Sequence, residues 1–494
     1  MDKLRTIIRD NLLVRTVLML AALAAFMCCC MNLTGETIRT PAVVMLVPII
    51  LIAIFLFRDS LKFSEALWLI NGGVFVKFCY VVYTAVWARQ HDVIDFGAGE
   101  GHAAYIEYIL NNRHLPDMDP TTLWGFFQPP LHHSISAVWM WLGIRLKLPE
   151  RQIQESVQVL TLAYMCIVMV VTYLIARELE LSKRAETIAV MLVSFHPIFV
   201  MLSGSINNDA LALCLSVIAL YLAICWYKKP GYMMTVLLAA SVGLSMMAKL
   251  SSALVAPGIG IMMLYKVWSE MKQEGSTGPV IFRYIPKFAL LGVISGFLGL
   301  WWPIRNLIRW NMPINYIPKV GEQLEHTGFF SRVLDIRTSS VFPVLISGGG
   351  AYDEYNVPLA MMKTSLYGEY DFAAGNRWIM PVAIIVFVCA IVLAIAAFIA
   401  TWKCCMSSES SLKVEYRILL GVTYISFLAG YLAFALGYSN FSAQDFRYAA
   451  IIIVIEALFL GIWSDESKIY KAVKVVTGVG AAASAAMFLM LGWV

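Results

Sequence analysis

Apolar runs of about 20 residues, each long enough to cross the roughly 30 Å hydrocarbon core of a bilayer, recur along the whole sequence. About thirteen spans are predicted, at 11–33, 41–57, 64–87, 155–177, 187–204, 209–227, 232–248, 251–268, 284–302, 379–401, 417–438, 448–464 and 471–492. The first follows a basic start (Lys3, Arg5, Arg9) but is longer than a signal-peptide core and lacks a clear cleavage site, so a retained helix is expected. The short connections carry most of the cations: Arg58 and Lys62, Arg177, Lys183 and Arg184, Lys228 and Lys229, Lys272 and Arg283, Lys403, Lys413 and Arg417, and Lys468 and Lys471. Under this span list all of them fall on one side, which the positive-inside rule makes cytoplasmic.

The pattern at Leu131–Leu148 decides the topology of the middle of the chain. It is apolar, but short, with His132 and His133 at one end and Arg145 and Lys147 at the other. Reading it as a span would send Arg177, Lys183, Arg184, Lys228 and Lys229 to the outside. An amphipathic helix lying along the outer interface satisfies both facts. Two long segments then face outward, 88–155 and 303–378. The expected organisation is a transmembrane catalytic region over 1–302 with its first loop at 88–155, a second outer loop at 303–378, and C-terminal membrane helices over 379–494. The expected fold is an all-α polytopic membrane protein with interfacial helices in the first outer loop.

Composition agrees with this picture. Of the 494 residues, 60% are hydrophobic and 14% charged, against about 25% charged in soluble domains, and the mean hydropathy is +0.74. The ten cysteines lie in or at the ends of apolar runs, with no disulfide framework or zinc spacing. No Walker-type glycine loop is present, which argues against a built-in ATPase, and nothing points to nucleic acid.

In a chain this poor in charge, four polar groupings stand out. The first is Arg89-Gln90-His91-Asp92 with Asp95, Glu100 and Gly101-His102, leading into the helical stretch that holds Tyr105. A carboxylate at a membrane interface can serve as a general base toward a hydroxyl, although Asp and Glu are also ordinary in helix-starting turns. The second is Gln128-Pro129-Pro130-Leu131-His132-His133, where two prolines fix the backbone ahead of the interfacial helix and Gln128 and His132 are candidate ligand contacts. The third, Asn207-Asn208-Asp209, forms the outer turn of a helical hairpin, with capping as the simpler alternative. The fourth comprises Lys249, Arg305 and Arg447 near outer span ends, where an ionisable residue is expensive and usually has a partner. A phosphate suits such cations. Headgroup snorkelling is the competing explanation, and for Arg447 the nearby Asp445 is another.

The order of these motifs resembles the GT-C superfamily of membrane glycosyltransferases, in particular the family-39-like enzymes related to protein O-mannosyltransferases and the aminoarabinose lipid A transferase. The resemblance rests on Gly101-His102-Ala103-Ala104-Tyr105-Ile106, Gln128-Pro129-Pro130-Leu131, Asn208-Asp209-Ala210-Leu211, Ala248-Lys249, Ser365-Leu366-Tyr367-Gly368-Glu369 and Phe446-Arg447-Tyr448. It implies a polyprenyl-phosphate-linked sugar donor, a lipid, glycan or protein acceptor, an outward-facing site in the cell envelope and an aspartate base. The setting it implies is a bacterial plasma membrane, with the N-terminus cytoplasmic. Many relatives carry adjacent Asp-Glu before the first-loop helix, whereas this chain reads Gly99-Glu100-Gly101-His102. Asp92 is therefore the favoured catalytic carboxylate, followed by Glu100 and then Asp95. Residues expected to bind substrate are His91, His102, Tyr105, Gln128, His132, Asn208, Asp209, Lys249, Arg305 and Arg447, with Lys249 and Arg305 as a phosphate clamp. No cofactor is indicated, and no close Asp-x-Asp or histidine cluster demands a metal. A divalent cation stays open. The rival from another class is a lipid or sugar transporter, which would place its ionisable residues nearer mid-membrane and in repeated halves.

Overall fold

The computed structural model describes residues 65–87, 92–318, 328–335, 354–368, 378–408, 410–438 and 440–491. The first two predicted spans, Arg89, Gln90, His91 and Glu369 lie outside them. The described residues form helices α1 (Glu65–Tyr83), α2 (Gly101–Asn112), α3 (Leu131–Arg145), α4 (Glu150–Glu155), α5 (Gln158–Glu178), α6 (Lys183–Phe195), α7 (Pro197–Leu202), α8 (Asp209–Lys228) and α9 (Tyr232–Ala248). There follow α10 (Ala256–Glu274), α11 (Gly278–Trp310), α12 (Phe329–Leu334), α13 (Val357–Tyr367), α14 (Ile379–Met406), α15 (Val414–Gly437), α16 (Ile451–Glu466) and α17 (Tyr470–Met490). Eight of these, α5 counted with α4 and α10 with the 3-10 turn before it, are long and apolar enough to cross a membrane. A ninth candidate is α16 together with the turns before it, bent by 47°. Each of the eleven spans predicted beyond residue 64 is helical in the structure. Phe297 on α11 and Ile395 and Phe398 on α14 are largely exposed, as side chains facing acyl chains would be.

The predicted span 187–204 is two helices. Pro197 lacks an amide hydrogen and ends the ladder at His196. The orphaned carbonyl of Ser194 accepts a hydrogen bond from Nζ of Lys77, 2.6 Å away. Lys77 is fully buried on α1, and its Nζ is a donor at the negative end of α6.

Helix ends sort into two groups. At one end Lys228 pairs with Glu178, Arg184 with Asp465, and Lys474 with Glu65. Ser411 bonds Glu466 at the same end. These are the basic connections of the sequence pattern. At the other end the C-terminus of α1 meets the N-terminus of α5: Gln158 donates to the Thr84 carbonyl, and the Val86 amide donates to Glu155.

Helix α3 does not cross the bundle. Its 15 residues span about 22 Å, short of the hydrocarbon thickness. It begins beside Ile206, to which His132 is bonded, and Gly143 near its other end packs on Ile153 just ahead of α5. Both ends therefore stay with the second group of helix ends, as an interfacial helix requires. Helix α11 runs to Trp310, eight residues past the limit of 302 expected for that span.

Candidate active site

The site is built first from backbone constraints. The Asp92 and Val93 carbonyls accept hydrogen bonds from the His102 and Ala103 amides, at 3.2 and 3.1 Å. They close the exposed start of α2, whose first amides have no partner within the helix. Gly101 makes this possible: its φ is +84°, and a Cβ there would come within 2.7 Å of the Val93 carbonyl. Its amide donates to the Trp124 carbonyl at 2.9 Å, and Gly125, also at positive φ, packs directly on it. Asp92 is thereby fixed beside the Trp124–Pro130 turn.

Around Asp92 lies a buried network of opposite charges. Arg447 reaches both its oxygens, Nη2 to Oδ2 at 2.7 Å and Nη1 to Oδ1 at 3.4 Å. The Nε of Arg447 stands 3.4 Å from Asp209 and 3.3 Å from Asp445. Asp209 also pairs with Lys249 at 2.5 Å, and the Lys249 ammonium lies 4.0 Å from the centre of the Tyr448 ring. Three carboxylates and two cations thus come together from the first outer loop, the start of α8, the end of α9 and the turn before α16. Asp445 caps the turn that carries Arg447, accepting from the Arg447 amide at 2.9 Å. Helix α13 braces that turn from behind: the Phe446 amide donates to Thr364, and Gln444 donates to the Glu354 carbonyl. Glu354 itself forms a fully buried pair with Lys363 at 2.7 Å.

A histidine row stands on the other side of Asp92. His102 Nε2 is 3.6 Å from Asp92, and its Nδ1 is 2.8 Å from Nε2 of His133. Tyr105 stacks on His133 with ring centres 4.1 Å apart. His132 bonds the Ile206 carbonyl at 2.7 Å. Burial pushes His132 down to about 4 and holds His133 well below the usual histidine range, so both are neutral at pH 7.

Asp92, His102, Gln128, Asn208, Lys249, Arg447 and Tyr448 face one cavity of about 410 Å³. Gln128 and Asn208 are tied together at 3.2 Å, and Asn208 also donates to the Ala248 carbonyl. Much of the remaining lining is apolar, with Leu250 and Leu254, Trp302, and Phe427 and Phe434 of α15. One cavity therefore offers both a charged corner and apolar, lipid-like lining.

Not every predicted residue reaches it. Glu100 is exposed at the helix start, without a capping hydrogen bond. Asp95 pairs with Arg151 on the surface at 2.9 Å. His132 is turned into the α7–α8 connection, and Tyr105 packs behind the cavity with its hydroxyl toward the Gln128 carbonyl. The structure does not bring Arg305 beside Lys249 as the expected clamp would have it. Arg305, on the extended part of α11, donates to the Pro116 carbonyl at 2.6 Å and lies over Trp302 and Trp310. Arg447 is the guanidinium beside Lys249. Sequence reasoning assigned no site role to His133 or Tyr448 and did not foresee that Glu354, expected in the loop that shapes acceptor choice, pairs with Lys363, and it set Asp445 against Arg447 as a local partner only. In the structure Asp445 and Asp92 hold the same guanidinium.

Residues 132–289 match the family of dolichyl-phosphate-mannose-protein mannosyltransferases. The matched segment runs from α3 into α11 and carries Asn208, Asp209 and Lys249, and it agrees with the GT-C resemblance of the motifs. No curated protein matches the sequence. Among solved structures, the chain is similar to ArnT from Cupriavidus metallidurans bound to undecaprenyl phosphate, with 13% identity and a TM-score of 0.48 over 86% of this chain and 76% of that one. It is also similar to the oligosaccharyltransferase AglB from Archaeoglobus fulgidus in complex with an inhibitory peptide and a dolichol-phosphate, with 15% identity and a TM-score of 0.45. The alignment covers 86% of this chain and 55% of AglB, so the chain spans about half of that protein's length.

Proposed function

We propose that this protein is a membrane glycosyltransferase that moves a sugar from a polyprenyl-phosphate-linked donor to a hydroxyl acceptor on the outer face. The observation that carries the reading is the charged corner of Asp92, Arg447, Asp209 and Lys249 opening onto a cavity whose remaining lining is in large part apolar. A lipid-linked phosphosugar has the same division: an acyl-like tail, an anionic phosphate and a polar ring.

In this reading the tail lies along Leu250, Leu254, Phe427 and Phe434. The Lys249 ammonium has three donors, of which Asp209 takes one, leaving the others for the phosphate. As the bond to the anomeric carbon breaks, charge grows on the leaving phosphate, and a fixed ammonium stabilises it most at that stage. Asp92 acts as the general base toward the acceptor hydroxyl, and His102, oriented by His133, receives the proton from it. Attack opposite the leaving phosphate inverts the anomeric centre. Gln128 and Asn208 orient the sugar.

The test uses full-length protein in nanodiscs with the donor lipid identified by mass spectrometry of what copurifies. Asp92→Asn should lower turnover by about 10²- to 10⁴-fold, the usual contribution of a general base, whereas Glu100→Gln should leave it near wild type. Full transfer by Asp92→Asn would remove this base assignment.

A further inference from the structure

Beside the cavity, and sharing Trp124, Phe127, Asn315 and Tyr316 with it, lies a second, more open cleft of about 620 Å³. Three aromatic rings meet in it at steep angles. Trp124 and Phe127 have ring centres 6.1 Å apart at 70°, and Phe127 and Tyr316 5.7 Å apart at 70°. All three are half-buried, so their faces line a concave corner instead of filling a core. Of the remaining wall groups, the Thr121 hydroxyl is spent on Asp119, to which it donates at 2.8 Å, and the exposed Asn315 side chain offers an uncharged amide.

Two other kinds of occupant find less of their recognition chemistry in this cleft. A phosphorylated acceptor calls for a cation, and none lines the cleft among the described residues. Arg305 is committed to the Pro116 carbonyl and two tryptophan rings, and Lys249 and Arg447 line the adjoining cavity. A peptide bound along its backbone calls for a free strand edge or a nest of amides, and no strand occurs among the described residues. A neutral sugar ring fits what is there. Its axial C–H face carries partial positive charge and meets the negative face of an aromatic ring, while an amide offers both donors and acceptors to the hydroxyl rim. The walls are also stiff. Pro129 and Pro130 follow one of them, and Pro313 and Pro318 bracket the other, so little ordering is needed on binding.

We propose that this cleft seats a neutral saccharide acceptor, so that the hydroxyl receiving the sugar belongs to a glycan. The inference rests on the transferase reading and names its acceptor class. The acceptor would enter from the solvent side, over Trp124 and Tyr316, and present its hydroxyl to Asp92 in the adjoining cavity.

Saturation-transfer NMR on the full-length protein in nanodiscs tests this, with maltotriose and an uncharged serine-containing peptide of similar mass as probes. Maltotriose should receive saturation through its C–H face. Trp124→Ala and Tyr316→Ala should each weaken its binding roughly fivefold, and Glu100→Gln, at an exposed residue outside the cleft, should not change it. Two variants from different segments, each checked for an unaltered melting midpoint, guard against loss by misfolding. A peptide signal that the alanine variants abolish, with no signal from maltotriose, would overturn the proposal, as would maltotriose binding insensitive to both variants. Because the readout is binding, the two readings fail separately. Saccharide binding without any transfer leaves the cleft and removes the enzyme, and transfer without saccharide binding does the reverse.

Discussion

Replacing Arg447 by glutamine tests whether the charged corner is one coupled unit. The guanidinium is 4% exposed and stands 2.7 Å from Asp92, 3.4 Å from Asp209 and 3.3 Å from Asp445. At charge-centre separations of about 4 Å and an effective dielectric constant near 20, each such pair is worth about 4 kcal/mol before desolvation. Lys249 remains to compensate Asp209, and Arg447→Gln leaves Asp92 and Asp445 buried without it. Removing one partner of a buried pair costs about 3–5 kcal/mol, and a similar loss is expected here. The decisive comparison is a double-mutant cycle. Asp92→Asn in the Arg447→Gln background should restore about 1–3 kcal/mol, because it removes a charge that no longer has its partner. Denaturant unfolding in mixed micelles, followed by circular dichroism, reads both quantities. If the two substitutions are simply additive, the network does not exist as a unit and the argument built on it fails.

Two further predictions concern the frame around that unit. Gly101→Ala should cost about 1–3 kcal/mol for the left-handed backbone and also reduce transfer, because the new Cβ would meet the Val93 carbonyl at 2.7 Å and displace Asp92. Gly97→Ala has nearly the same φ and open space around it, so in a melting and turnover comparison it should show the backbone cost alone. Acid should destabilise the fold through the buried histidines. His132 is held down to about 4 by burial, whereas an unfolded histidine titrates near pH 6.5. Below about pH 6.5 the unfolded chain therefore binds more protons than the folded one, and stability falls as pH drops toward 4, by about 3 kcal/mol in all for this residue. His132→Gln should flatten that limb of a melting-versus-pH curve, and an unchanged slope would show that His132 is charged in the fold.

Much of this architecture was legible in the hydropathy pattern, because a membrane imposes one length on every crossing. The interfacial placement of α3 followed from charge bookkeeping on short loops. The site was legible as a set of expensive polar residues at one group of helix ends, and Asp92, His102, Gln128, Asn208, Asp209, Lys249 and Arg447 do come together. What the pattern could not show was direction. Arg305 follows Trp302 by three residues, but α11 continues straight on to Trp310 and carries the guanidinium past the cavity onto Pro116. The neighbours His132 and His133 point about 100° apart on α3, and only packing reveals that one meets Ile206 and the other His102. Asp445 was visible as a neighbour of Arg447, but its second role, holding the side chain that also grips Asp92, depends on a turn braced by α13.

The contact between Asp92 and Arg447 joins positions 355 residues apart, which has a consequence for biogenesis. As the chain leaves the ribosome, Asp92 and Asp209 enter the membrane region long before their guanidinium partner is synthesised. Until the turn before α16 arrives, an acidic pair sits at the rim of an unfinished bundle, with Lys249 already made and Arg447 still to come. The last part of the chain is therefore a closing piece for the first, and a nascent protein that stops short of Arg447 exposes to quality control the very charges that the finished one hides.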